Sequence, residues 1–362
     1  MNTLVPIEYY TNIFYYVTFF LVLVLFFTVR NNNALNTSSS FQKILVAGLF
    51  LYLGLRPVSG FFGDMGTYAK FYEAYSMGYN GKFDQDAGFD LLMRNTSTFL
   101  NVNLFFLLIA FIYVYTHYWA SKRFFANYWH YAFIIFIASF SFWSYGTNGL
   151  RNGLAAGLVI LALSFEQKKL IAIVLTLIAV SFHKSMLLPV AAYFLTFINN
   201  NSKYYLLVWI LCIPISLVAG GVFEIFFSSL GFDDNRLSYL TVGNVNEDEF
   251  SSIGFRWDFL AYSATAVVAG FYFVFKKQFK DLLYQRLFNV YLLSNAFWIL
   301  VIRANFSNRF AYLSWFMMGL IIIYPFLKGK FMKNQPRVLG WVTLIYFLFT
   351  FVMNVILAKS DP

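Results

Sequence analysis

The chain has 362 residues, of which 60% are hydrophobic and only 12% are charged, about half the ~25% usual in soluble domains. Aromatics reach 22%, with 47 Phe, 26 Tyr and 8 Trp. A soluble globule cannot hide that much apolar surface, and disorder, collagen, coiled coil and a disulfide-rich scaffold are excluded by the same figures. One cysteine, Cys212, excludes an internal disulfide and a thiolate metal cluster. The composition is that of an all-α polytopic integral membrane protein.

A membrane helix takes ~20 mostly apolar residues. By that rule about twelve spans are predicted, at 9–29, 41–55, 103–120, 131–147, 149–166, 170–182, 185–198, 204–220, 257–275, 287–302, 310–327 and 338–357. The short pair flanking His183 reads as two crossings or as one re-entrant hairpin; both leave the downstream topology unchanged. The first span lacks a preceding basic region and a following small-residue cleavage site, so it is expected to be a retained helix and not a signal peptide. No internal repeat is found. The chain reads as a single membrane domain over 1–362, with longer outward segments at about 56–102 and 221–256.

Orientation follows from Lys and Arg. The loops near 30–43, 121–130, 167–169, 199–203, 276–286 and 328–337 lie on one side and carry 15 of the 26 basic residues, with only Glu166 and Asp281 as acids. That side is expected to be cytoplasmic. The net charge of +10 is therefore a topology signal and not a nucleic-acid footprint.

The span centres are nearly free of charge, which weighs against an ion-coupled transporter. Ionisable residues collect at the outer helix ends: Arg56, Asp64, Arg151, His183, Lys184, Arg256, Asp258, Arg303 and Arg309. Arg56 and Arg303 close outward-running helices, where the dipole favours a cation and snorkelling suffices. Arg151, Arg256 and Arg309 begin inward-running helices, where the dipole opposes a cation. An anionic ligand such as a phosphate offsets that opposition, and so does a local acid such as Asp258.

Gly149, Gly153 and Gly157 form a small-residue stripe that lets another helix approach; Arg151 lies on a different face. Asp64, Tyr68 and Tyr72 fall at i, i+4 and i+8, one face of a helix. A carboxylate followed by tyrosines suits sugar binding, and an N-cap aspartate is the plainer reading. Asp90 and Arg94 make a helical i, i+4 pair. Asp84-Gln-Asp86 is a weak match to the D-x-D of metal-dependent glycosyltransferases. His183 can serve as a general base. His117 and His130 fall near cytoplasmic helix ends and are expected at the interface. No nucleotide loop or nucleophile elbow is present.

GDMGTYAKFY, DAGFDLLM, LRNGLAAGL, FHKSMLLP, FRWDF and NRFAYLSWF occur in that order. Over about 56–315 the chain resembles the EpsG family, within the Wzy-like polysaccharide polymerases. The resemblance implies a GT-C-like helical glycosyltransferase bundle in the bacterial inner membrane. It implies an enzyme that transfers a growing glycan from undecaprenyl pyrophosphate to a fresh lipid-linked repeat unit on the outer face, with a possible chain-length regulator as partner. Donor, acceptor and membrane lipid are then the binding partners; nucleic acid is not. The leaving pyrophosphate needs cationic donors, which arginine supplies bidentately, so no metal or other cofactor is required. On this reading Arg151, Arg256, Arg309 and Arg303 hold pyrophosphate. Asp64, His183 and Asp258 are the alternative bases, and Tyr68 and Tyr72 contact sugar. A lipid-linked oligosaccharide flippase and a membrane O-acyltransferase are the rival functions.

The charge asymmetry is open to direct test. A reporter that works only outside the cytoplasm is expected to be silent when fused after Arg337, because residues 328–337 belong to the basic side. Activity there contradicts the topology.

Overall fold

A computed structural model describes residues 5–83, 86–229, 254–304 and 307–357, and all of their regular secondary structure is helical. The helices are α1 (Tyr10–Asn32), α2 (Ser40–Gly54), α3 (Met65–Ser76), α4 (Ala87–Ser97), α5 (Val102–Phe125), α6 (Trp129–Ile137), α7 (Phe140–Thr147) and α8 (Leu150–Leu163). They continue as α9 (Lys169–Phe182), α10 (Leu187–Ile198), α11 (Ser202–Ser229), α12 (Trp257–Phe271), α13 (Leu282–Leu300), α14 (Asn308–Trp315), α15 (Met318–Lys328) and α16 (Gln335–Phe351).

Each of the twelve apolar segments coincides with helix. Six stretches are long and apolar enough to cross a membrane: Ile7–Asn32, Val102–Ile137, Ser202–Phe223, Trp257–Lys276, Asn308–Lys328 and Gln335–Ile356. Four further apolar helices are shorter, including Leu150–Leu163 and Lys169–Phe182. At 1.5 Å per residue, a 14-residue helix spans only ~21 Å, against a hydrocarbon core of ~30 Å. The length criterion therefore supports six crossings and not the full twelve.

The chain divides into two compact units, Met1–His183 with Phe326–Pro362, and Lys184–Pro325. In the first, α1 packs on α16 through Phe26 and Trp341, with ring centroids 4.6 Å apart, and through Phe19 and Phe351 at 5.1 Å. Helix α2 begins with a capping box formed by Ser39 and Gln42, which satisfies two orphan backbone donors. Asn101 caps α5, accepting from the Leu104 amide at 3.0 Å. Lys122 and Arg123 close that helix in its last turn, where the dipole favours cations.

The predicted span 131–147 is two helices, interrupted where Ser139 is extended. The break exposes the Ala138 carbonyl, and Thr350 Oγ1 of α16 donates to it at 3.0 Å. Every residue of α8 except Arg151 is buried. Its glycine stripe is a packing device: a Cβ on Gly153 would lie 2.5 Å from the Tyr145 carbonyl, and one on Gly157 would lie 2.4 Å from Thr116 Oγ1. His117 and His130 are buried and not interfacial, because α5 and α6 turn them inward among aromatic rings such as Phe136 and Trp129.

The second unit is tied by buried polar contacts. Trp209 Nε1 of α11 donates to Asn295 Oδ1 of α13 at 2.8 Å, and Asn295 Nδ2 donates to Ser314 Oγ of α14 at 3.0 Å. Trp315 Nε1 donates to Ser263 Oγ of α12 at 2.6 Å. In an apolar surrounding such bonds fix which helices pair, since an unmet polar group is costly there. Most of the long segment 221–256 lies outside the described residues.

Arg56 departs from the snorkelling expectation. It is 3% exposed. Its Nη1 donates to the Leu53 carbonyl, and its Nη2 to the Thr147 carbonyl at 3.2 Å. It thus serves the C-terminal ends of α2 and α7 together, and its guanidinium lies 5.4 Å from the Phe62 ring centroid. Burial pushes it down to about 10, so it stays charged at neutral pH. Hydrogen bonds to charged groups are worth ~1.5–3 kcal/mol each. Arg56→Ala is therefore expected to lower the stability of the detergent-solubilised protein by about 3 kcal/mol, with Arg56→Lys intermediate. An unchanged melting temperature contradicts this role.

Candidate active site

Three helix ends of the first unit converge on one carboxylate. Asp86 is the N-cap residue of α4, yet its side chain makes no capping bond to that helix. It points instead at α8, where Arg151 Nη1 donates to Asp86 Oδ2 at 2.7 Å. The same oxygen lies 3.5 Å from His183 Nδ1. That is ion-pair distance and too long for a good hydrogen bond. Side-chain exposure is 25% for Arg151, 5% for Asp86 and 6% for His183, so solvent screens these charges weakly.

The local sequence explains the placement. Gly88 lets α4 approach α9, since a Cβ there would sit 2.1 Å from Ser181 Oγ. That approach brings Asp86 beside His183, which follows Phe182 as the extended C-cap of α9. Arg151 is the second residue of α8, against the helix dipole; the Asp86 carboxylate offsets that opposition directly. Arg151 Nε also donates to Tyr68 Oη at 2.9 Å. Tyr68 stands on α3, its ring edge-on to Phe89 at 5.3 Å.

Asp64 joins the same neighbourhood through its backbone. It occupies the N-cap position of α3 without a side-chain capping bond, and it is exposed. Its amide donates to Asn148 Oδ1 at 2.9 Å. Asn148 lies in the junction between α7 and α8, three residues before Arg151. Gly63, at φ +65°, is required beside it: a Cβ there would lie 2.3 Å from Asn148 Oδ1, and that backbone conformation disfavours other residues.

Packing buries both tyrosines of the sugar-contact expectation. The Tyr72 ring is fully buried and stacks on Phe105 at 4.4 Å, and its hydroxyl donates to the Leu100 carbonyl at 3.1 Å. No ring face is left for a sugar. Tyr68 is also buried, and its hydroxyl serves Arg151. The two tyrosines of the i, i+4, i+8 face of α3 are thus packed residues, each with a polar contact at its hydroxyl. Asp90 and Arg94 make their ion pair at 3.8 Å, and Asp90 also accepts from the Tyr75 hydroxyl.

The other arginines expected at pyrophosphate belong to the second unit. Arg256 caps the start of α12 and forms a bidentate pair with Asp258, Nε to Oδ1 at 2.9 Å and Nη2 to Oδ2 at 2.7 Å. Its guanidinium lies 3.8 Å from the Phe259 ring centroid. The opposing dipole is met here by a local acid, as it is at Arg151. Both oxygens of Asp258 are engaged by that pair. Arg303 is exposed and donates to the Leu217 carbonyl at 3.2 Å, two residues before the helical break at Ala219. Arg309 is the second residue of α14 and is half-buried.

Asp86 is the residue that sequence reasoning undervalued, having treated it as half of a weak metal motif. Its partner in that motif, Asp84, lies outside the described residues. Among the described residues no group of three or more His, Cys, Asp or Glu side chains is placed to hold a metal ion.

A chain whose described residues form no regular structure but helix, with six stretches long and apolar enough to cross a membrane, is a multi-pass membrane protein. The chain belongs to the EpsG family, whose model matches residues 41–361, nearly its whole length. That family is of the Wzy-type polymerase kind and gives the chain a membrane role in polysaccharide assembly, with a lipid-linked glycan as its class of substrate. No curated protein and no solved structure matches the chain.

Proposed function

We propose that the protein is a glycosyltransferase that polymerises undecaprenyl-pyrophosphate-linked repeat units on the outer face of the bacterial inner membrane. The observation that carries this reading is the pairing of Arg151 and His183 around Asp86 in a chain of this family. Transfer from a lipid pyrophosphate needs a cation at the leaving oxygen and a base at the acceptor hydroxyl. Arg151 has the donors for the first, and the His183 imidazole can take a proton for the second.

The step balances as a substitution at the anomeric carbon of the donor. The acceptor hydroxyl loses its proton to His183 as its oxygen forms the new glycosidic bond. The bond from the anomeric carbon to the pyrophosphate oxygen breaks, and its electron pair leaves on that oxygen beside Arg151. Water then takes the proton from the imidazolium. His183 is preferred to Asp64 as base because it is buried beside the arginine, whereas the Asp64 carboxylate is exposed. Asp258 is assigned the orientation of Arg256. Arg303 and Arg309 are assigned to lipid pyrophosphate in their own unit. A chain-length regulator is a further partner on this reading.

Loss of a preorganised donor aimed at the developing charge costs ~10²–10³ in rate. In a deletion strain complemented with Arg151→Ala, surface glycan is expected to stop at a single repeat unit, at wild-type protein levels in the membrane. Arg151→Lys keeps the charge without the fork and is expected to restore short polymer only. Full-length polymer from Arg151→Ala overturns the assignment. Loss of the single repeat unit together with the polymer points to export instead.

A further inference from the structure

Asp86 presents a single oxygen to two groups with different tasks, 2.7 Å from Arg151 Nη1 and 3.5 Å from His183 Nδ1. We infer that Asp86 is a positioning residue that couples donor binding to the basicity of His183. The inference rests on the reading of Arg151 and His183 given above and assigns a role that neither of them has alone.

Before the donor arrives, the carboxylate is neutralised mainly by Arg151, the nearer and better aligned of its two partners. A pyrophosphate carries more negative charge than one carboxylate and accepts bidentately, so it competes for the same guanidinium. As Arg151 turns toward the leaving group, the charge on Asp86 is less fully neutralised. His183 Nδ1–H is the next donor at that oxygen. The carboxylate then takes the Nδ1–H, fixes the tautomer, and leaves Nε2, on the far side of the ring, as the basic nitrogen. The imidazolium formed by the acceptor's proton is stabilised by the same carboxylate. Base strength is thereby highest when a donor is in place, which protects the lipid-linked glycan from idle hydrolysis.

Other charged or titratable groups near the pair are few. Tyr68 of α3 bonds Arg151, and Asp64 at the N-cap of that helix is exposed and joined to Asn148 through its amide. Arg151 is the sole ionisable residue of α8, and Lys169 of α9 lies at that helix's opposite end. Asp90 and Arg94 of α4 pair with each other, and Lys184 follows His183 in the chain. Asp86 is thus the carboxylate positioned to tune the histidine.

The test uses membranes containing the full-length protein, supplied with the lipid-linked repeat unit extracted from the deletion strain. Polymerisation rate is measured across pH. Asp86→Asn is expected to lower the plateau rate by ~10²-fold, in the range of a lost acid–base contribution, and to move the acid limb to lower pH because the imidazolium has lost its counter-charge. Inhibition by inorganic pyrophosphate is expected to strengthen about tenfold in the same variant, because the competing carboxylate is gone; tenfold is the effect of ~1.4 kcal/mol. Asp86→Glu keeps the charge and is expected to retain the wild-type acid limb with a reduced plateau, and it carries the test if Asp86→Asn does not accumulate. A lower plateau with an unmoved limb and unchanged pyrophosphate inhibition means that Asp86 is only structural and overturns the coupling; an acid limb displaced in Asp86→Glu does the same. His183→Ala separates the two levels. If it polymerises at the wild-type rate, the base assignment itself fails. If it is inactive while Asp86→Asn leaves the limb unmoved, the coupling alone fails.

Discussion

A carboxylate held 5% exposed is unfavourable unless a cation stands against it. That constraint organises the meeting ends of α4, α8 and α9. Arg151 needs an anion because it enters a helix N-terminus against the dipole, and Asp86 needs a cation because it is buried. Each makes the other's position tenable, and His183 is placed beside the oxygen they share. The arrangement is a satisfied ion pair with a third group at its edge, which is how a stable fold can keep a reactive site ready.

The supporting structure is built from close approaches. Gly88 lets α4 reach α9, and Gly153 and Gly157 let α8 pack against Tyr145 and Thr116. With α8 buried on all sides except at Arg151, its first turn has little freedom to move. Tyr68 from α3 and the bond from the Asp64 amide to Asn148 Oδ1 attach α3 to the same turn. Arg56 fastens the ends of α2 and α7, and α7 leads directly into the Asn148 junction. The candidate site is therefore made by helix termini held by packing.

Helix existence and much of the span layout were legible in the sequence, because runs such as 9–29 and 103–120 are apolar over a full membrane length. Arg151 and His183 could be singled out as well, since a charge at an inward helix start and a histidine between two short spans are local anomalies. Asp86 could not be weighed properly: its significance depends on α4 docking on α9 across nearly a hundred residues, and the nearby Asp84 drew it toward a metal reading. Tyr72 misled for the opposite reason. Its spacing with Asp64 and Tyr68 is a helix face, but sequence spacing does not say whether that face meets solvent or Phe105. At Arg256 the local acid that the sequence offers two residues away does form a bidentate pair with it. The break at Ser139 was invisible because the residues around it are as apolar as those of an unbroken span.

The most direct measurement is a structure of the protein with the lipid-linked repeat unit from the deletion strain bound. The expected result is pyrophosphate oxygens within hydrogen-bond distance of the Arg151 guanidinium, with Asp86 Oδ2 drawn from 3.5 Å to a formed hydrogen bond with His183 Nδ1. A pyrophosphate bound away from Arg151, with the Arg151–Asp86 pair and the His183 distance unchanged, contradicts the account.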